Sequence, residues 1–151
     1  ERMKLGLLLH DPEEEHDCFS DNTHVSHLND VLGIRNVYTG KYERVDGTMI
    51  EGPAIADLVA AKAPDIDKEI RAGLDDSVGK FEAIAKAAEN GEAYDQQIGE
   101  GNDEGNARVP AGIDALVTQT RAIERAVAAL ELGGVSIEGS DSLDNTEAVF
   151  Q

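Results

Sequence analysis

Tryptophan is absent from the 151 residues, and the aromatics are three tyrosines and three phenylalanines. Any core is therefore packed mainly from alanine, leucine, valine and isoleucine, a composition that suits closely packed helices. Cysteine is almost absent too. With Cys18 alone, no disulfide can form within the chain, so covalent staples do not hold the fold together. Positive charge is scarce, with 13 basic against 31 acidic residues and a formal net charge of −18. Nucleic-acid and anionic-membrane binding both need cations to neutralise phosphates, so neither is expected. No run approaches the roughly 20 apolar residues that a membrane-spanning helix needs. No internal repeat of about 20 to 50 residues is present, which excludes a solenoid.

What the chain has is concentrated at one end. His10, His16, His24, His27 and Cys18 all lie in the first 27 residues. The densest stretch is His16-Asp17-Cys18-Phe19-Ser20-Asp21-Asn22-Thr23-His24. A chemical site, if present, should centre there. The acidity admits two readings: a solvated surface, or a field that concentrates a cation.

Apolar spacing outlines the scaffold. A first helix runs from Glu1 to about Leu9 and stops at Asp11-Pro12, because proline disfavours helical geometry in the residue before it. Glu13 to Phe19 reads as a loop. Ser20 or Asp21 is expected to cap a second helix through Leu28, Val31, Leu32 and Ile34 to Tyr38. Lys41 to Gly52 reads as a loop or short hairpin around Asp46-Gly47. A short helix then spans Ala54 to Lys62, with Ile55, Leu58 and Val59 on one face. From Pro64 a long helix carries Ile66, Ile70, Leu74, Val78, Phe81, Ala85 and Ala88 to a stop at Asn90-Gly91. Gly99 to Asn106 reads as a polar loop. A last helix aligns Val109, Ile113, Leu116, Thr120, Ile123, Val127 and Leu130, and is expected to stop at Gly133-Gly134. The fold class is therefore all-α, an antiparallel four-helix-bundle-like domain with long irregular loops over residues 12–134. Residues 1–11 read as a helix end shared with an upstream part, and residues 135–151 as an irregular tail docking like a strap. The first helix needs that upstream part or another copy to cover its apolar face, so a homo-oligomer or helix exchange is a further expectation.

On a helix begun at Asp21, three-residue steps bring Asp21, His24 and His27 toward one cation, with Glu15 and His16 upstream able to complete the set. Imidazole and carboxylate ligands suit zinc or non-haem iron. The plainer reading has Ser20 and Asp21 as caps, His24 hydrogen-bonding a carbonyl or carboxylate, and His10 and His27 at the surface. Cys18 reads as a buried thiol, since Asp17 and Asp21 deny it the basic neighbourhood of a reactive cysteine.

Glu15-His16-Asp17-Cys18-Phe19-Ser20-Asp21-Asn22-Thr23-His24, Asn29 to Tyr38, Gly91-Glu92-Ala93-Tyr94-Asp95 and Glu138 to Asn145 together resemble the C-terminal half of the imelysin family, with Asp17 where that family is expected to carry serine. These are iron-regulated bacterial envelope proteins whose founding member was described as an insulin-cleaving metallopeptidase. The family's Gly-x-His-x-x-Glu motif lies in its N-terminal half and has no counterpart here; His10-Asp11-Pro12-Glu13 has the spacing but lacks the glycine and contains a proline. The resemblance implies that this chain is one half of a two-domain protein with a polar pocket between the halves. It implies Glu15, His16, Asp21 and His24 as metal residues, with Ser20, Asn22 and Thr23 lining the pocket. The implied cofactor is iron, zinc or haem. The implied partners are the upstream half and a small iron-containing ligand, at a periplasmic or outer-membrane-associated location. Three functions follow: iron acquisition first, a metallopeptidase second, and a structural module with a polar interface lock third. This half alone is expected to be inactive.

Overall fold

Pro64 opens the longest apolar stripe in the chain, and its fixed φ and missing amide suit the first turn of a helix. In the computed structural model, which describes residues 2–133, that stripe forms α4, Pro64–Glu89, at the centre of the fold. Before it come α1 (Arg2–Leu9), a single 3-10 turn (Pro12–Glu14), α2 (Thr23–Thr39), the hairpin strands β1 (Lys41–Glu43) and β2 (Met49–Glu51), and α3 (Ile55–Lys62). After it come the short α5 (Tyr94–Ile98) and the long α6 (Asp103–Ala129). The fold is all-α apart from the hairpin. The hairpin forms around Asp46-Gly47 as expected, pairing Lys41 with Glu51 and Glu43 with Met49.

α2 and α6 both run antiparallel to α4. Tyr38 near the end of α2 meets Asp67 near the start of α4, whereas His27 meets Phe81 further along. Glu69 pairs with Arg125, and Phe81 sits against Gly112. Two apolar clusters result. One gathers Val31, Val78, Phe81, Ile84, Tyr94, Ile98 and Val109 at the end nearest the histidine-rich loop. The other gathers Tyr38, Ala56, Val59, Ile70, Leu74, Ala122 and Ala126 at the opposite end.

Three expectations about the helices change. The buried seam of α6 is Gly105, Val109, Gly112, Ala115, Gln119, Ala122 and Ala126, one position away from the aliphatic stripe for most of its length. Small residues let α4 and α6 approach closely, and Ile113, Leu116, Ile123 and Leu130 pack half-buried along the flanks. On α3, Ala56 and Val59 are buried while Ile55 and Leu58 face outward. α6 ends before the expected diglycine. Glu131 takes a left-handed φ of 57°, its amide bonds Ala128 O, and the Leu132 amide bonds Val127 O, a Schellman ending. The strap expected over residues 135–151, and the block from Glu138 to Asn145, lie outside the described residues.

At the second cluster a polar group ties α2 to α4. The Tyr38 hydroxyl donates to Asp67 Oδ1 at 2.9 Å, and Arg71 Nε donates to Asp67 Oδ1 and Oδ2 at 3.1 and 2.9 Å. Burial first, then the hydrogen bond to Asp67, pushes the Tyr38 phenol above its ordinary range. Asp67→Ala should cost about 2 kcal/mol, because it leaves a buried hydroxyl unpaired. Urea unfolding midpoints measure this, and Asp67→Asn, which keeps an acceptor for Tyr38, should cost less.

Candidate functional site

The histidine-rich segment is bracketed by two non-glycine residues in left-handed backbone, His10 (φ 51°) and Asp21 (φ 50°). Such positions cost of order 1–3 kcal/mol and persist when surrounding contacts fix them. Here those contacts are visible. His10 Nδ1 donates to Ile98 O at 2.9 Å, tying the end of α1 to α5. Asp11 Oδ1 accepts from the Glu13 amide at 3.0 Å and caps the 3-10 turn. The Asp17 amide donates to Thr23 Oγ1 at 3.0 Å, and Ser26 Oγ donates to Asp17 Oδ2. Asp17 thus fastens the loop to the first turn of α2.

Beneath the loop lies a buried polar cluster. Glu15 is only 5 % exposed, His27 7 % and Tyr94 2 %. The His16 and His27 rings meet edge to face with centroids 4.7 Å apart, and His27 and Tyr94 lie 5.5 Å apart. Phe81 closes the other side of His27 at 6.2 Å. Glu15 Oε2, His27 Nε2, Tyr94 Oη and, one turn earlier on α2, His24 Nδ1 are buried without hydrogen-bond partners.

Electrostatics follow from this burial. Desolvation raises the Glu15 pKa; the Thr23 hydroxyl opposes that, and Asp95, Asp21 and Asp17 push it further up. Desolvation lowers the His27 pKa to about 4, with the neighbouring His16 acting in the same direction. Tyr94 is held as a neutral phenol by burial and by Glu15. Cys18 is half-exposed rather than buried, and its thiol donates to Glu13 Oε2 at 3.7 Å. Desolvation and the Glu13 carboxylate raise its pKa, so the thiol is not tuned as a nucleophile.

The loop surface encloses a depression of about 320 Å³ lined by Glu13, Glu15, His16, Asp17, Cys18, Phe19 and Ser20. Its carboxylates would favour a cation. Among the described residues, however, no three His, Cys, Asp or Glu side chains are grouped to hold a metal ion. The donors fit iron or zinc in type, and Glu15 and His24 keep unused buried atoms, but this part of the chain does not build a complete site.

Sequence similarity gives the setting. A family model described as imelysin, with a peptidase label, matches residues 1–123. The chain belongs to the imelysin family. No curated protein matches it significantly. The imelysin match spans α1, the loop, α2 to α5 and most of α6, and it ends before the Glu138 to Asn145 block.

Within this imelysin chain, Glu15, His16 and Ser20 line the depression. Asp21 and Asn22 are exposed at the entry to α2, and Thr23 is fully buried beneath the loop, where it holds the Asp17 amide. The caps differ from those expected. Asn22 occupies the N-cap position without a side-chain hydrogen bond, Ser20 Oγ donates to Asp17 O, and Asp21 takes the left-handed turn. His27, expected at the surface, is buried. It shares a four-residue step with Val31 on the buried side of α2, a spacing that could have revealed it. Tyr94 and Asp95 enter from α5 and were not expected at the site.

Proposed function

We propose that this imelysin chain forms one wall of a cation-binding pocket completed by the upstream half of its protein. The cargo on this reading is an iron ion, haem or a small iron chelate, held in the bacterial envelope for delivery to a transporter. The observation that carries the proposal is the set of buried, unpartnered atoms Glu15 Oε2, His24 Nδ1, His27 Nε2 and Tyr94 Oη. Each unmade hydrogen bond of this kind costs about 1–3 kcal/mol. A cluster of them asks for a partner, and the carboxylates of Asp17, Asp21 and Asp95 around Glu15 make a positively charged one the best fit. Carboxylate, imidazole and phenol oxygen or nitrogen atoms suit ferric or ferrous iron, and the first two also suit zinc.

The peptidase label of the family favours a second reading. A hydrolytic metal needs several protein ligands, an open position and a general base. This chain lacks His-Glu-x-x-His and, among the described residues, any three-ligand group. Peptidase chemistry would thus draw most of its ligands from the other half.

Thermal unfolding of the protein with its upstream half tests the proposal. Iron at about 100 times its Kd should add roughly 2.7 kcal/mol of stability. Glu15→Gln and His24→Ala should each remove most of that gain. Stability indifferent to iron and zinc, but lowered by both substitutions, would instead identify the cluster as an interface lock.

A further inference from the structure

Every residue of the hairpin, from Lys41 to Glu51, is exposed. Two strands alone are only marginally stable in water, and here Tyr42 and Ile50 remain about half open on one face and Met49 on the other. The Arg44 amide donates to Thr48 O at 2.9 Å and the Gly52 amide to Gly40 O at 3.0 Å. These two bonds fix the parity of the ladder. Tyr42 and Ile50 form the bonded pair between them, so the main-chain groups of Lys41 and Glu43 point outward from the free edge of β1. An open edge of this kind is a template for another strand.

We propose that the β1 edge pairs antiparallel with the same edge of a second copy of this chain, about a two-fold axis at Tyr42. Charge selects both the occupant and the register. Ladder parity requires outward-facing residues to meet outward-facing residues, which leaves registers centred on Lys41, Tyr42 or Glu43. The first sets lysine against lysine and the last glutamate against glutamate, and like charges directly opposite are destabilising. Centring on Tyr42 sets Lys41 of each copy against Glu43 of the other and brings the two Tyr42 rings together. Lys41 Nζ already bonds Glu51 Oε1 at 2.9 Å, so Glu51, Lys41 and the second copy's Glu43 alternate in sign across one face of the resulting four-stranded sheet. On the other face Ile50 and Tyr42 of both copies form one apolar row. The β2 edge has no such complementarity, because the equivalent register sets Met49 against Glu51. The hairpin is also a place where two chains of net charge −18 can approach, since Lys41 and Arg44 offset most of the charge of Glu43, Asp46 and Glu51. A three-residue edge falls short of the roughly 1,000 Å² of a stable interface, so the dimer is a weak one and trapping is the means to read it.

Disulfide trapping in the full chain tests the assignment. Cys18→Ser removes the native thiol, and Tyr42→Cys then places one thiol at the two-fold axis, where opposed Cα atoms lie about 4.5 Å apart, within disulfide reach. Ile50→Cys in the same background is the control, because its two copies sit three strand spacings apart, about 14 Å. Mild oxidation should give a species of dimer mass at least tenfold faster from Tyr42→Cys than from Ile50→Cys. Adding Glu43→Lys or Lys41→Glu to Tyr42→Cys should slow the reaction at least tenfold, and mixing those two charge variants should restore it, since each then meets its opposite. Equal rates at Tyr42→Cys and Ile50→Cys would show chance collision or pairing through β2. A rate that ignores both charge changes, or is not restored on mixing, would remove the register, and no cross-link would leave the edge to another occupant. Each of these overturns the proposal.

Discussion

Gly105→Ala is expected to destabilise the chain by about 3 kcal/mol or more. A Cβ at Gly105 would lie 2.3 Å from Gln97 O and 2.6 Å from Gln97 Cα. These are backbone atoms, so no side-chain rotation relieves the clash. α5 would have to move away from α6, and much is anchored there. Gln97 Nε2 donates to Ile84 O and Glu92 O, Arg108 Nη1 donates to Gln97 Oε1 and Glu92 Oε2, and Asn106 Nδ2 donates to Gln97 O, Gly99 O and Asn102 O. The same displacement would shift Tyr94 and free His10 from Ile98 O. Urea unfolding should show the loss. Gly79→Ala is the control: its Cβ meets nothing within 4 Å, and alanine is the better helix former, so stability should hold or rise slightly.

The second large effect is a loss of stability in mild acid that depends on His27. Its pKa is about 4 in the folded chain against 6.5 for an ordinary histidine. The unfolded chain therefore takes up this proton first, and stability drains as pH falls from about 6.5 to about 4. The difference corresponds to roughly 3 kcal/mol over that window. Glu15 works the other way. Its folded pKa is raised, so the folded chain takes up that proton before the unfolded chain does, and part of the loss is returned as pH falls. His27→Leu removes the first contribution and leaves the second. The wild type should therefore lose stability relative to His27→Leu between pH 7 and pH 4.5, read from urea midpoints at each pH. Parallel profiles for the two proteins would show that His27 is not buried as a neutral imidazole.

The three long helices were legible because each repeats an apolar position every three or four residues over several turns. Ile70, Leu74, Val78 and Phe81 of α4 are buried as their spacing implies. The seam of α6 was not legible in the same way. Glycine and alanine carry little hydrophobic signal, yet Gly112, Ala115, Ala122 and Ala126 make the closest contact because they are small. α5 escaped for a different reason. Five residues are too few to show a period, and Tyr94 and Ile98 are recognisable as a buried pair only once Gly105 has let α5 settle on α6. At the site, the Glu15 to His24 block marked the loop that lines the depression and covers the buried polar groups. The partition within it depended on three-dimensional packing: Thr23 and His27 turn inward, Asp21 and His16 turn outward, and Tyr94 arrives from a distant segment. Asp17 pins the loop through its amide to Thr23 and its carboxylate to Ser26.

The central claim is that Glu15, His24, His27 and Tyr94 form half of a cation pocket. Equilibrium dialysis against ferric iron, ferrous iron and zinc, followed by elemental analysis, tests it with this chain alone and together with the upstream half proposed above. The account predicts stoichiometric iron uptake only when both halves are present, and its loss in Glu15→Gln. No uptake in either condition, or stoichiometric uptake that survives Glu15→Gln, would contradict it.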